Sequence, residues 1–182
     1  MEKNWKLVGA ELVYKDPVLQ VEHRDFHFKK NDEVGTFTVV SMKDWAVIVP
    51  VTEEGRFVLV KQYRVGTRSV AYEFPGGALE KGEKPEEGAA RELVEETGYC
   101  GSLSKLCDLS PNPAFMDNTC YLYLAENCTK TSDLSLDPFE DIEPAEFSLR
   151  DVENMILNGE IVHSISIAAY GAYIALLNNV KK

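Results

Sequence analysis

The segment GGALEKGEKPEEGAARELVEETGY, residues Gly76–Tyr99, decides the fold of this chain. It opens with paired glycines, and Pro85 and Gly98 stand where a helix commonly begins and ends. Between them, alanine, leucine and valine side chains recur at helical spacing. The segment therefore predicts a glycine loop followed by a helix from about Pro85 to Gly98.

Three glutamates of this predicted helix share one face. Because a helix advances about 100° per residue, Glu92, Glu95 and Glu96 fall within an arc of about 100° beside the apolar face. The charge pattern alone favours an ordinary solvated face, with Arg91 and Glu95 as an ion pair. The glycine loop favours a second interpretation, since glycine lets a backbone approach a ligand. Carboxylates gathered on a rigid element suit Mg²⁺ or Mn²⁺, which can bridge a diphosphate and activate a water.

Composition narrows the possible partners. The chain has 182 residues and a formal net charge of −11, so its surface repels nucleic acid and anionic membranes. We therefore expect neither partner, and an anionic substrate would need metal ions as mediators. The N-terminal residues 1–10 contain no apolar stretch long enough for a signal peptide, and the most apolar run of the chain lacks the ~20 apolar residues of a membrane span. We expect a cytoplasmic protein whose four cysteines are free thiols, with a disulfide as the alternative.

The rest of the chain predicts strands on both sides of the helix, followed by two more helices. Ser148 is expected to cap a helix that stops at Gly159, with Asp151 completing the cap. The most apolar run, 161–177, is interpreted as a buried core helix. The predicted strands are 5–16, 18–28, 33–42, 44–51, 56–65, 69–74, 100–109, 118–127 and 145–149.

The opening segment is similar to the signature sequence of the Nudix hydrolases. Gly77, Glu83 and the run from Arg91 to Gly98 occupy every fixed position of that signature. Tyr99 is a departure, since the family usually has an aliphatic residue at this packing position. The resemblance covers about residues 45–182. It implies an α/β (α+β) fold, with a mixed β-sheet sandwiched between helices and an N-terminal antiparallel β extension.

The resemblance also implies roles for individual residues. Two or three Mg²⁺ or Mn²⁺ ions would be bound, with Glu92 and Glu96 as the most regular ligands. Glu83 and Arg91 would hold the loop and the helix together. The full set of implied metal ligands is Gly76, through its carbonyl oxygen, with Glu92, Glu95 and Glu96.

Features outside the signature resemble the ADP-ribose pyrophosphatases and nucleotide-sugar hydrolases. Residues 1–45 would form a β segment that builds a homodimer and shapes the substrate site, and residues 46–182 would form the hydrolase domain. Arg64 would face the diphosphate, because the planar, permanently charged guanidinium of arginine is suited to phosphate binding. Glu73 would lie near the metals. A proline of the loop Ser110–Phe115 is also characteristic, either Pro111 or Pro113. Each of these features has a plainer explanation. The N-terminal segment would also fit an extra sheet without a function, Arg64 would fit a surface cation, and the prolines would fit an ordinary turn.

The catalytic base is expected in the acidic loop LDPFEDIEP, residues 136–144. In this subgroup the base is often a glutamate on such a downstream loop. We favour Glu140, with Asp141 and Glu143 as alternatives. An acidic loop without a catalytic role would have the same sequence character. Candidates for stacking on a nucleobase are Phe26, Phe28 and Trp45, each of which also suits a core.

The sequence therefore predicts a metal-dependent hydrolase that splits ADP-ribose or a related nucleoside diphosphate sugar into a nucleoside monophosphate and a sugar phosphate. One alternative is a Nudix hydrolase of oxidised nucleoside triphosphates, which usually lacks the long N-terminal segment. Another is a non-catalytic ligand sensor, which would have lost signature glutamates. Few basic residues are expected near the site, namely Arg64, Arg68 and Lys61.

Overall fold

The structure, a computed structural model, describes residues 1–180, with only the backbone for Glu2 and Val180. The chain divides into two units. The first contains Met1–Asp44 together with Ser110–Thr119, and the second contains Trp45–Leu109 together with the chain from Cys120 onward. The proline loop therefore belongs to the same unit as the N-terminal segment.

The first unit is a three-stranded antiparallel sheet that follows a 3₁₀ turn, Glu2–Asn4. Its strands are β1 (Trp5–Lys15), β2 (Leu19–Phe28) and β3 (Glu33–Met42), with β1 at one edge. All three strands were predicted from the sequence, at 5–16, 18–28 and 33–42. The loop 110–119 joins the sheet at β3, where the Val40 amide donates to the carbonyl oxygen of Phe115 at 2.7 Å.

The second unit contains a seven-stranded mixed sheet with the order β10-β5-β4-β9-β8; β6 pairs with β5, and β7 pairs with β4. The β4–β9 pair is parallel and the other pairs are antiparallel. The strand bounds are β4 (Trp45–Thr52), β5 (Phe57–Arg64), β6 (Ser69–Glu73), β7 (Gly76–Ala78), β8 (Tyr99–Leu109), β9 (Cys120–Lys130) and β10 (Ile142–Phe147).

Three helices, α1 (Pro85–Thr97), α2 (Leu149–Leu157) and α3 (Ser164–Val180), complete this unit. The predicted ends of α1 are confirmed, because Gly98 adopts the left-handed conformation (φ 73°) and its amide donates to the Val94 carbonyl. The predicted cap of α2 is also confirmed, since Ser148 and Asp151 form a reciprocal capping box.

Alternate residues of β4 enter two separate apolar clusters. Val47 and Val49 pack in the cluster that includes residues of α2 and α3, whereas Ala46 and Ile48 pack in the cluster that includes residues of α1. Successive strand residues point to opposite faces of a sheet, so helices cover both faces of this one. The predicted fold, a mixed sheet sandwiched between helices, is confirmed.

Two local predictions were wrong. The paired glycines form β7, which pairs with β4, and do not form a loop. The apolar helix α3 is not fully buried, because it covers the sheet with one face and leaves Ile167 and Leu176 exposed. Among the described residues, no helix has both the length and the apolarity needed to cross a membrane.

Candidate active site

The carboxylates of Glu92 and Glu96 lie one helical turn apart on α1 and are largely buried. Ala89 and Leu93 anchor the neighbouring face of α1 in the apolar cluster, and this packing directs the glutamates toward β7. The residues Glu92 and Glu96 are only 8% and 4% exposed. The backbone amide of Gly76 donates to Oε2 of Glu96 at 2.9 Å, which fixes that carboxylate against the strand.

Arg91 ties the helix to the turn that precedes it. Its guanidinium donates to both carboxylate oxygens of Glu83, from Nε at 2.9 Å and from Nη2 at 3.0 Å. The Nη1 atom donates to Glu92 at 2.8 Å and to Glu95 at 2.9 Å. Hydrogen bonds to Glu83, Glu92 and Glu95 outweigh burial and raise the pKa of Arg91. These contacts join the turn that carries Glu83 to α1.

The electrostatic environment of the two buried glutamates disfavours two bare negative charges. Burial raises the pKa of Glu96 to about 8, and the charges of Glu92 and Glu140 add to this effect. Burial also raises the pKa of Glu92, although the hydrogen bond from Arg91 opposes the shift. Carboxylates in this situation gain from a cation that offsets their repulsion.

The donor set fits a hard divalent cation. Glu92 and Glu96 supply carboxylate oxygens on a rigid helix, and the neighbouring β7 supplies backbone carbonyls, which are ligand types that Mg²⁺ and Mn²⁺ accept. Glu95 is more exposed and contacts Arg91. Within residues 1–180, no three acidic, histidine or cysteine side chains converge as a metal-binding group.

Of the three candidate bases, Glu140 has an electrostatic link to this cluster. Its charge contributes to the raised pKa of Glu92 and Glu96, after burial as the main cause. Glu143 lies instead in β10, where it pairs with Lys61 at 3.5 Å. The carboxylate of Glu140 accepts a hydrogen bond from the Asp137 amide at 2.8 Å. This bond uses one of the two carboxylate oxygens of Glu140, and the other oxygen can still accept a hydrogen bond from a water.

Arg64 and Glu73 lie together, as an ion pair across the β5–β6 hairpin. Arg64 donates to the two carboxylate oxygens of Glu73 at 3.0 and 2.7 Å. Sequence reasoning missed His163, whose Nδ1 atom lies 3.0 Å from Oε2 of Glu73. In the sequence, His163 only interrupts the apolar run 161–177, and no local pattern relates it to β6.

The departure at Tyr99 has a structural reason. Its ring packs against the apolar cluster under α1, and its hydroxyl donates to Oε1 of Glu146 at 2.7 Å. Burial, with the hydrogen bond to Glu146, raises the pKa of Tyr99 to about 12. The hydroxyl of a partly buried tyrosine usually finds a hydrogen-bond partner, and β10 supplies it here.

The candidate stacking residues occupy different environments. Phe26 lines a cavity of about 520 Å³ in the first unit, together with Trp5, Phe37 and Pro113. Phe28 stacks on Trp5 with ring centroids 4.3 Å apart. In the second unit, Trp45 packs against the apolar core. Phe26 therefore lies beside a cavity large enough for a small ligand.

Comparisons with known proteins relate this geometry to one family. The NUDIX domain profile matches residues 42–168. The "ADP-ribose pyrophosphatase" of Bacillus subtilis (strain 168) is 31% identical over 158 residues, covering 86% of this chain and 85% of that protein. The "Methanol dehydrogenase activator" of Bacillus methanolicus is 30% identical over 166 residues, covering 90% and 89%.

A solved structure supports the same fold. The "Crystal structure of ADP compounds hydrolase" superposes with a TM-score of 0.84, covers 97% of this chain and 95% of that one, and is 22% identical. The profile match spans the strands and helices that surround the glutamates of α1. Members of this family depend on divalent metal ions, which the donor set described above fits. The chain belongs to the Nudix family and is a Nudix pyrophosphohydrolase.

Proposed function

We propose that this enzyme hydrolyses the diphosphate bond of ADP-ribose or of a related nucleoside diphosphate sugar. The products are a nucleoside monophosphate and a sugar phosphate. The named activity of the Bacillus subtilis relative, which aligns over most of both chains, supports this substrate class. The observation that carries the proposal is the shortage of uncompensated positive charge among the described residues beside the acidic cluster, where Arg91 already pairs with Glu83, Glu92 and Glu95.

The three basic residues predicted near the site offer little uncompensated charge. Arg64 is paired with Glu73, and Lys61 is paired with Glu143. Arg68 is exposed in the turn between β5 and β6. A nucleoside triphosphate brings about two more negative charges than a diphosphate diester, and like charges at close range repel. A diphosphate diester is therefore the better match for this chain.

Glu92, Glu95 and Glu96, with the carbonyl oxygen of Gly76, would hold two or three Mg²⁺ ions. Bound there, the metal ions would neutralise the diphosphate and make its phosphorus more electrophilic. Arg64 would bind the diphosphate through N–H groups that Glu73 leaves available. Glu140 would take a proton from the attacking water, or orient it, through the carboxylate oxygen that the Asp137 amide leaves available.

A substrate panel tests this proposal. With saturating Mg²⁺, kcat/KM is measured for ADP-ribose, several nucleotide sugars, dGTP and 8-oxo-dGTP. We expect a preference of about tenfold or more for a diphosphate diester, a difference of about 1.4 kcal/mol in transition-state stabilisation. A kcat/KM that is about tenfold or more higher for a triphosphate would contradict the substrate class and favour a nucleotide-sanitising enzyme.

We further propose that the N-terminal segment, residues 1–45, forms a homodimer. The edge strand β1 is eleven residues long and almost entirely exposed, and long exposed edges promote pairing with another chain. Apolar side chains are exposed throughout this sheet. They are Trp5, Leu7, Val8, Leu12, Val13, Tyr14, Val34 and Phe37.

Sedimentation equilibrium tests the dimer. We expect twice the monomer mass at micromolar concentration, and we expect Leu12→Lys to shift the protein toward monomer. The matched control is Leu157→Lys, which changes an exposed leucine at the end of α2. A wild-type monomer, or an equal effect of both variants, would contradict this interface.

A further inference from the structure

The carboxylate of Glu73 is buried between Arg64 and His163. Glu73 is 2% exposed, it accepts hydrogen bonds from Nε and Nη2 of Arg64, and Nδ1 of His163 lies 3.0 Å from its Oε2 atom. A carboxylate at this depth is strongly destabilising unless it is paired. Burial opposes ionisation, but the hydrogen bonds from His163 and Arg64 outweigh it and lower the pKa of Glu73 to about 2. Glu73 is therefore an anion at neutral pH.

The ionised state of Glu73 fixes the tautomer of His163. An ionised carboxylate only accepts hydrogen bonds, so the proton of this contact belongs to Nδ1 of His163. The ring thus donates toward the same oxygen, Oε2, that receives Nη2 of Arg64.

His163 is itself held in place by its surroundings. It directly precedes α3, and its carbonyl oxygen accepts the Ile167 amide at 3.1 Å. Its Nδ1 atom also lies 3.3 Å from the hydroxyl oxygen of Ser166. Ser166 is fully buried and accepts the amide of Phe74, the residue after Glu73, at 3.1 Å. The start of α3 therefore fixes both the ring of His163 and the backbone beside Glu73.

Arg64 connects this buried contact to the acidic cluster. Its side chain is 39% exposed, in contrast to Glu73. Two of the five N–H donors of the guanidinium serve Glu73, which leaves an edge for another anion. The charges of Glu96 and Glu140 contribute to the raised pKa of Arg64, after the larger effect of the hydrogen bonds to Glu73. The guanidinium thus pairs with Glu73 and lies within electrostatic range of Glu96 and Glu140.

We propose that His163 is a positioning residue, which anchors Oε2 of Glu73 and thereby holds the guanidinium of Arg64 in the orientation that binds a diphosphate. This inference rests on the proposed role of Arg64 in substrate binding. His163 acts through Glu73 and Arg64, and it does not contact the substrate. Small displacements of a binding group are costly to catalysis, so the loss of this anchor weakens binding at Arg64.

Two substitutions separate the hydrogen bond from simple packing. His163→Asn keeps an N–H donor near the position of Nδ1, whereas His163→Leu keeps much of the volume without a donor. The control is Ser164→Ala, at the exposed first residue of α3. With the preferred nucleoside diphosphate sugar, we expect His163→Leu to raise KM about tenfold with a smaller change in kcat. His163→Asn and Ser164→Ala should stay within about threefold of wild type.

A double-mutant cycle with Arg64→Lys tests whether His163 acts through Arg64. Coupled residues have non-additive effects, whereas independent ones have additive effects. We expect His163→Leu to cause less than about a twofold further loss of kcat/KM in the Arg64→Lys background. The same tenfold loss in both backgrounds would overturn the proposal, as would a His163→Asn variant that behaves like His163→Leu.

A binding measurement distinguishes this inference from the proposed function. Methylenediphosphonate, a non-hydrolysable diphosphate, is titrated calorimetrically into each variant in Mg²⁺ buffer. We expect His163→Leu to weaken binding about tenfold, and His163→Asn to bind like wild type. If wild type binds the probe and shows this pattern, yet prefers triphosphates, the substrate class is wrong and the positioning role stands. Unchanged binding in His163→Leu, or no binding in wild type, overturns the positioning role.

Discussion

A β-carbon at Gly77 would lie 2.5 Å from Oε1 of Glu92, so the missing side chain on β7 makes room for this carboxylate. Gly76 is constrained differently. Its φ of 153° is rarely adopted by residues that carry a side chain, and a β-carbon there would overlap the carbonyl oxygen of Ala46. The two adjacent glycines therefore have different roles. Gly77 leaves space for the carboxylate of Glu92, and Gly76 lets β7 approach the backbone of β4.

Alanine at each glycine should separate these effects. Gly77→Ala should keep its fold, because the end of the Glu92 side chain can move away, but the displaced carboxylate should lower kcat/KM by about tenfold or more. Gly76→Ala should lose on the order of 1–3 kcal/mol of stability, because rigid backbone cannot yield. Urea denaturation and kinetics measure both effects. A Gly77→Ala variant with full activity would show that the position of Glu92 is unimportant.

Glu92→Gln and Glu96→Gln should each lower turnover by about 100-fold or more while the fold stays intact, because amides bind divalent metal ions far more weakly than carboxylates do. The Gly76 amide can still donate to the amide oxygen of a glutamine at position 96. Without metal, both variants should melt slightly above wild type, since a buried like charge is removed. The control is Glu86→Gln on the exposed part of the first turn of α1. Near-normal activity at limiting Mg²⁺ in either variant would contradict the metal assignment.

Features with local signals could be predicted from the sequence. The ends of α1 depend on Pro85 and Gly98, and the cap of α2 depends on Ser148 and Asp151, so a few neighbouring residues determine each. Strand β7 was missed, because its formation depends on pairing with β4 and not on the propensity of its glycines. Hydropathy likewise identified α3 but not which of its faces packs on the sheet.

In the candidate site, too, features with local sequence signals could be predicted, whereas contacts between distant residues could not. The glutamates of α1 could be found from their spacing within one helix. The contact between Glu73 and His163 joins a strand to the start of the last helix, and nothing near His163 in the sequence predicts it. The aliphatic position of the family signature is occupied by Tyr99, whose partner Glu146 also lies far away in the chain, on β10.

Among the three acidic candidates for the base, Glu140→Gln should lower kcat about 100-fold with little change in substrate binding, since a base acts mainly in the transition state. Asp141→Asn and Glu143→Gln should stay within about tenfold of wild type. Glu143 pairs with Lys61 in β10, so its substitution serves as the matched control. Single-turnover kinetics and equilibrium binding measure the two quantities separately. A Glu140→Gln variant that loses binding instead of turnover would identify Glu140 as a ligand of metal or substrate.

The ion pair of Glu73 predicts a pH dependence of stability with a definite sign. Hydrogen bonds from His163 and Arg64 overcome burial and lower its folded-state pKa from 4.5 to about 2. A lowered pKa stabilises the folded state above pH 4.5, and the contribution is lost as the pH falls toward 2. Its full size is on the order of 3 kcal/mol, from about 1.4 kcal/mol per pH unit.

Glu73→Gln should therefore destabilise the protein most at pH 6 and progressively less as the pH is lowered to 3. Urea denaturation at several pH values measures the difference in free energy of unfolding between wild type and variant. We expect this difference to shrink by roughly half between pH 6 and 3, because the wild-type advantage is lost as the unfolded glutamate takes up its proton. Glu54→Gln, in the exposed turn between β4 and β5, is the matched control for removing one negative charge. A Glu73→Gln penalty that stays constant over this range would show that the buried carboxylate stabilises the fold by packing alone, without a lowered pKa.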